Sequence, residues 1–208
     1  ENYEGNVFSP MGCRSFLSPW KDANGEYKFE GRFNIGVVSL NLPQIAIIAD
    51  GDMEVFWEIL DQRLALAKEA LMVRYELLKD ATSDISPIHW QHGGLARLGK
   101  HEPIFPLLQD GYATITLGYI GMYEMTKLMT GKSHTEEKEF ALEVMRRMKQ
   151  ATLDWKEETG LGFALYGTPA ESLCHRFAKI DLARFGSIKD ITDKGYYTNS
   201  YHVDVREE

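Results

Sequence analysis

Two stretches of this chain hold residues whose types could do chemistry. In Met11-Gly12-Cys13-Arg14-Ser15 a cysteine stands in a glycine- and proline-rich segment, outside any apolar pattern. It reads either as a small, partly buried, inert residue or as a reactive sulfur, with Arg14 beside it to favour the thiolate. No Cys–His–Asn order of a thiol protease accompanies it. The second stretch, Tyr166-Gly167-Thr168-Pro169-Ala170-Glu171-Ser172, joins a strand to a helix. Thr168 as N-cap, Pro169 at the first helical position and Glu171 closing a capping box would explain every residue but Gly167. The other reading is an anion site, in which free N–H groups and the helix dipole favour a phosphate and Gly167 lets it approach the backbone. The local residues alone favour capping, and the charge of Glu171, which would compete with a phosphate, weakens the anion case slightly.

Metal chemistry has less support. His89 and His92 stand three apart and could share a helix face, but no third ligand lies nearby in sequence. Cys13 and Cys174 form no CxxC pair and are too few for a disulfide framework. No metal site is assigned to this chain, and a reduced, cytoplasmic setting is expected.

The elements that must position these residues alternate between strands and helices. Residues 1–32 are irregular, with turn signals at Ser9-Pro10, Ser18-Pro19 and Asn24-Gly25. A strand is expected from Asn34 to Leu42, stopped by Pro43. The stripe Val55, Phe56, Ile59, Leu60, Leu64, Ala67, Leu71, Tyr75 and Leu78 predicts a long helix over 52–79, with Asp50 or Asp52 to cap it. Residues 82–111 read as short turns and loops. A buried strand is expected over 112–119, then a helix ending at Gly131. Ser133 and Glu136 fit a capping box for another long helix, 134–159. A short strand over 162–166, a helix over 169–183 and a last strand over 196–205 complete the pattern. Such an order implies an α/β fold with parallel strands under helices. In these folds sites gather where strands end and helices begin.

Composition excludes several classes. The formal net charge of −8 argues against nonspecific nucleic-acid binding, though a locally positive pocket for a phosphorylated small molecule remains compatible with it. The longest uncharged stretch, 33–49, carries Asn34, Asn41, Pro43 and Gln44 and does not read as a membrane span. The start at Glu1 shows no signal-peptide pattern. Lacking an initiator methionine, it reads as a fragment.

Five stretches, taken together and in order, resemble the anaerobic, or class III, ribonucleoside-triphosphate reductases. The first is Asn6-Val7-Phe8-Ser9-Pro10-Met11-Gly12-Cys13-Arg14-Ser15, followed by Gly31-Arg32-Phe33-Asn34-Ile35-Gly36-Val37-Val38-Ser39-Leu40-Asn41-Leu42-Pro43. Then come Thr116-Leu117-Gly118-Tyr119-Ile120-Gly121-Met122-Tyr123-Glu124, Leu165-Tyr166-Gly167-Thr168-Pro169-Ala170-Glu171-Ser172-Leu173 and Tyr197-Thr198-Asn199-Ser200-Tyr201-His202-Val203.

The resemblance implies one catalytic domain, a ten-stranded glycyl-radical-enzyme barrel, of which this chain would supply about half. Residues 1–32 would be the finger-loop region and 33–208 the strand–helix units. Cys13 matches the finger-loop cysteine that becomes a thiyl radical and takes the ribose 3′-hydrogen. For that role a lowered thiol pKa has no purpose. Ser15 and Asn34 match polar positions that hydrogen-bond the ribose hydroxyls or formate, the implied reductant. Gly167, Thr168, Ala170, Glu171 and Ser172 match the place where the substrate phosphates are held, which turns the preference there to the anion reading.

The resemblance also implies a glycyl radical, a four-cysteine zinc site and nucleoside triphosphate effectors. No segment here matches the glycyl-radical loop or the zinc site, so both are expected outside this chain, and the isolated 208 residues are expected to be inactive. A radical-SAM iron–sulfur activating enzyme and a homodimer are the implied partners. Two alternatives stand beside this. A relative of pyruvate formate-lyase would show adjacent cysteines at the tip, where Cys13 has Gly12 and Arg14. A noncatalytic nucleotide-binding module would use the Gly167 loop alone.

Overall fold

The computed structural model describes residues 17, 19–22, 24–29 and 31–199, together with the backbone of residues 2–3, 6–7, 10–11 and 15–16. Two short antiparallel pairs open the chain. β1 (Asn2–Tyr3) pairs with β2 (Asn6–Val7), and β3 (Pro10–Met11) with β4 (Ser15–Phe16) in the register Pro10↔Phe16 and Met11↔Ser15.

The main sheet has three strands, β5 (Phe33–Asn41), β6 (Ala113–Ile120) and β7 (Gly162–Gly167), in the order β5-β6-β7. The Phe33 N–H donates to Tyr112 O at 3.0 Å, placing the start of β5 beside the start of β6. The Thr168 N–H donates to Tyr119 O at 3.0 Å, placing the end of β7 beside the end of β6. Starts beside starts and ends beside ends make the sheet parallel, as an α/β fold requires. β6 is central and buried along its whole length.

Helices α1 (Leu42–Ala49) and α2 (Met53–Glu76) follow β5. Pro43 follows the end of β5, as expected, and also opens α1, a helix the sequence reading did not include. It sits in the first turn of α1, where its missing N–H costs no intrahelical bond. Asn41 caps that helix by accepting from the Gln44 N–H at 3.3 Å. Asp52 then caps α2, accepting from the Glu54 and Val55 N–H groups. Residues 82–111 hold two short 3-10 turns and the one-turn helix α3 (Pro87–Trp90), in keeping with their proline and glycine content.

After β6 come α4 (Met122–Thr130), which ends at left-handed Gly131, and α5 (Lys138–Thr159); α6 (Glu171–Phe185) follows β7. The box between Ser133 and Glu136 forms in both directions, but it closes a separate turn and α5 begins only at Lys138. The aromatic pair Phe56–Phe140 and the ion pairs Asp61–Arg147 and Lys68–Glu158 follow one another along α2 and α5, so the two helices run in the same direction. Residues 196–199 are irregular rather than the start of the expected strand, and the rest of that span lies outside the described residues.

The chain divides into two compact units. One comprises 1–38, 68–116 and 152–164. Its core includes Leu71, Tyr75, Ile104, Leu108 and Ile115, with edge-on pairs Phe33–Trp90 and Trp155–Phe163. The other comprises 39–67, 117–151 and 165–208. In it Ile120, Cys174, Ala178, Ile191 and Tyr197 form a cluster covered by Leu128, Leu173, Phe177 and Ile188. There α1 packs on α4 closely enough that a Cβ on Gly121 would meet the Pro43 ring at 2.2 Å. Only glycine fits that position, which also has φ +82.

Candidate functional site

Polar side chains gather in both units. In the first, alternate residues of β5 and β6 face one another across the sheet. The Asn34 amide nitrogen donates to the Thr116 hydroxyl, and its carbonyl oxygen accepts from the Gly36 N–H at 2.8 Å. Asn34 therefore does bond its own strand, as a residue near a strand start can, while one amide N–H remains for another partner. Two residues earlier, Arg32 Nη2 reaches Thr114 Oγ1 at 3.5 Å and Arg32 Nε donates to Gly111 O at 2.6 Å. Burial holds the Arg32 guanidinium below its usual pKa. Gly36 has φ +154, and a Cβ there would lie 2.2 Å from the Arg74 guanidinium.

Cys13 lies outside the described residues. The register Met11↔Ser15 leaves residues 12–14 between β3 and β4. Ser15 is described as backbone in β4 only.

In the second unit, the Gly167–Ser172 segment differs from its sequence reading. Gly167 ends β7, and Thr168 is buried instead of capping α6. Its hydroxyl bonds Ser39 Oγ at 2.7 Å and its N–H is given to Tyr119 O. Burial pushes the Tyr166 phenol up, opposed by a hydrogen bond with Thr168. The N-cap is Ala170, which makes no side-chain cap; its carbonyl accepts from the Leu173 and Cys174 N–H groups. Glu171 closes no capping box and instead lies 3.5 Å from Asn199 Nδ2. Glu171 and Ser172 are exposed, Ala170 partly so.

Two buried acids in this unit escaped the sequence reading. Asp181, fully buried on α6, accepts from Gln44 Nε2 at 2.6 Å, Asn41 Nδ2 at 2.7 Å and the Tyr197 hydroxyl at 2.9 Å. Three neutral donors thus solvate one carboxylate in place of water. Burial, then the charge of Asp181, pushes the Tyr197 phenol far above its usual pKa. Glu124, in the first turn of α4, is also fully buried and accepts from the Thr198 N–H and hydroxyl at 2.9 and 2.8 Å. Both acids grip residues 197–198. The only sequence signal was their place beside apolar helix positions, which a surface carboxylate shares.

His89 is exposed on α3 and bonds Ser86 through Nδ1; His92 follows that helix and is exposed. Among the described residues no three His, Cys, Asp or Glu side chains gather as a metal-binding group. Also among them, no helix is long and apolar enough to cross a membrane.

A model of the anaerobic ribonucleoside-triphosphate reductase family matches residues 1–208. The anaerobic ribonucleoside-triphosphate reductase of Escherichia coli (strain K12) is 45% identical over 209 residues, covering 98% of this chain and 29% of that protein. That of Enterobacteria phage T4 is 43% identical over 204 residues, covering 96% of this chain and 33% of its own length. The crystal structure of the Thermotoga maritima anaerobic ribonucleotide reductase with glycerol in the active site shares the fold. It superposes with a TM-score of 0.66 at 22% identity, over 88% of this chain and 29% of that one. The form with dATP bound in the specificity site gives 0.63 at 26% identity, over 88% and 30%. The chain thus spans about three-tenths of the length of the curated relatives it matches. With residues 1–208 matched throughout, the chain belongs to the anaerobic ribonucleoside-triphosphate reductase family.

Proposed function

We propose that this chain forms part of the catalytic barrel of an enzyme that reduces ribonucleoside triphosphates to deoxyribonucleoside triphosphates. The family match over the whole chain carries the reading. In it, residues 1–32 are the finger-loop region and 33–208 are strand–helix units of one ten-stranded barrel domain. The family match over residues 1–32 supports the finger-loop reading, with Cys13 as its cysteine.

The thiyl radical of Cys13 takes the 3′-hydrogen of the ribose. The 2′-hydroxyl leaves as water, formate supplies two electrons and becomes carbon dioxide, and the 3′-hydrogen is returned. Sulfur suits this role because its S–H bond is weak enough to be re-formed, where a serine O–H is too strong. Ser15 and Asn34 hold the ribose hydroxyls or formate; the N–H left on the Asn34 amide supports this, since a neutral donor orients a hydroxyl without adding charge. The phosphates lie at the start of α6, along Gly167, Thr168, Ala170, Glu171 and Ser172. Support comes from Ala170, which supplies no side-chain cap to the first-turn N–H groups.

A glycyl radical outside these residues would supply the unpaired electron to Cys13, and a radical-SAM iron–sulfur activating enzyme would generate it. The zinc site that the resemblance implies is placed outside these residues in this reading. Nucleoside triphosphate effectors, homodimer formation and a cytoplasmic location belong to the same reading.

The test is Cys13→Ser in an intact reductase subunit that includes these residues. Activation should still yield the glycyl radical signal by electron paramagnetic resonance, while deoxynucleotide production is lost. Product formation by the Cys13→Ser variant would refute the assignment.

A further inference from the structure

The orientation of the Asn34 amide can be assigned by chemistry. A backbone N–H only donates, so the Gly36 N–H at 2.8 Å requires the Asn34 oxygen on that side. The nitrogen then faces Thr116, and the threonine hydroxyl must accept. Both ends of the amide are fixed by groups of the sheet itself.

Thr116 lies on the fully buried central strand, where valine has the same shape and no oxygen to desolvate. What threonine adds is the acceptor that Asn34 uses. Thr114 offers an internal comparison: it shares the strand face and the complete burial, but its hydroxyl serves Arg32.

We propose that Thr116 is a positioning residue of the reductase reaction: its buried hydroxyl holds the Asn34 amide so that the remaining N–H meets a hydroxyl of the ribose in one orientation. This rests on the reading of Asn34 as a substrate-contacting residue. Without the acceptor the amide is held at one end only and can swing about its side-chain bonds. The loss then falls on the geometry of the reacting complex more than on capture of the nucleotide, most of whose charge is in its phosphates.

The experiment uses the intact subunit with its activating enzyme. Thr116→Val should lower kcat about 10- to 100-fold with little change in KM, the scale expected when a positioning contact is lost. Thr116→Ser should restore most of the rate, and Thr114→Val should leave kcat near that of the unchanged protein. Combined with Asn34→Ala, Thr116→Val should add almost no further loss, because both changes remove one interaction. If Thr116→Val does not fold, Thr116→Ser against Thr116→Ala isolates the same hydroxyl. If Asn34→Ala leaves turnover unchanged, the role of Asn34 falls and this proposal with it. If Asn34→Ala lowers kcat while Thr116→Val does not, or while serine fares no better than alanine, Asn34 keeps its role and the proposal for Thr116 is overturned.

Discussion

Glu124 carries a carboxyl that water does not reach, and burial raises its pKa above the ordinary 4.5. Hydrogen bonds from Thr198 and the charge of Lys194 oppose that rise without cancelling it. A folded-state pKa above the unfolded one means that folding favours the protonated form. The stability this group contributes is therefore complete below the ordinary glutamate range, and it is lost as pH rises through the raised folded value. Glu124→Gln keeps the shape and an acceptor for the Thr198 N–H but cannot ionise. The melting temperature of the variant relative to the unchanged protein should rise as pH climbs from about 4.5 through that window, then level off. A difference that stays flat with pH would show that Glu124 does not titrate as its burial implies.

At the scale of elements, the clearest object is the tie among α1, α6 and residues 197–198. Asp181 joins the Asn41 cap and Gln44 of α1 to Tyr197. A hydrogen bond to a charged group contributes about 1.5–3 kcal/mol, so Tyr197→Phe should release this segment by that amount. Hydrogen exchange of the amides of 197–198, whose N–H groups bond Cys174 O and Glu124, should quicken about 10- to 100-fold. Unchanged exchange would mean that packing alone holds the segment. This tie also marks the limit of sequence reading. The stripe from Val55 to Leu78 made α2 legible, and the uncharged run over 112–119 did the same for β6, because periodicity and burial are local signals. Helix α1 was missed because Pro43, rightly read as ending a strand, also opens a helix, and one residue type serves both. Thr168 was misread because a threonine before a helix has the pattern of a cap, whereas the hydroxyl that claims it belongs to Ser39, 129 residues away. The bond between Asn34 and Thr116 was likewise beyond local reading, since the two stand 82 residues apart.

At the scale of the whole chain, 31 acidic side chains outnumber 23 lysines and arginines, giving a formal net charge of −8. Distribution matters more than the sum, since a basic stripe can bind nucleic acid on an acidic protein. Here several cations stand beside carboxylates: Lys68 by Glu158, Lys79 by Glu76, Lys132 by Glu137 and Arg147 by Asp61. A cation already paired has less to gain from a phosphate, and the surrounding negative field opposes a polyanion that must lie along many residues at once. A nucleoside triphosphate differs, because it needs only one local site. The chain should therefore show no retention of duplex DNA in fluorescence anisotropy at about 0.15 M salt, near the physiological ionic strength at which surface charges are screened beyond about 8 Å. Lowering the salt tenfold should still not produce the steep rise in affinity that counterion release gives a true DNA binder. DNA binding that strengthens steeply as salt falls would place a basic surface on this chain and contradict the charge argument.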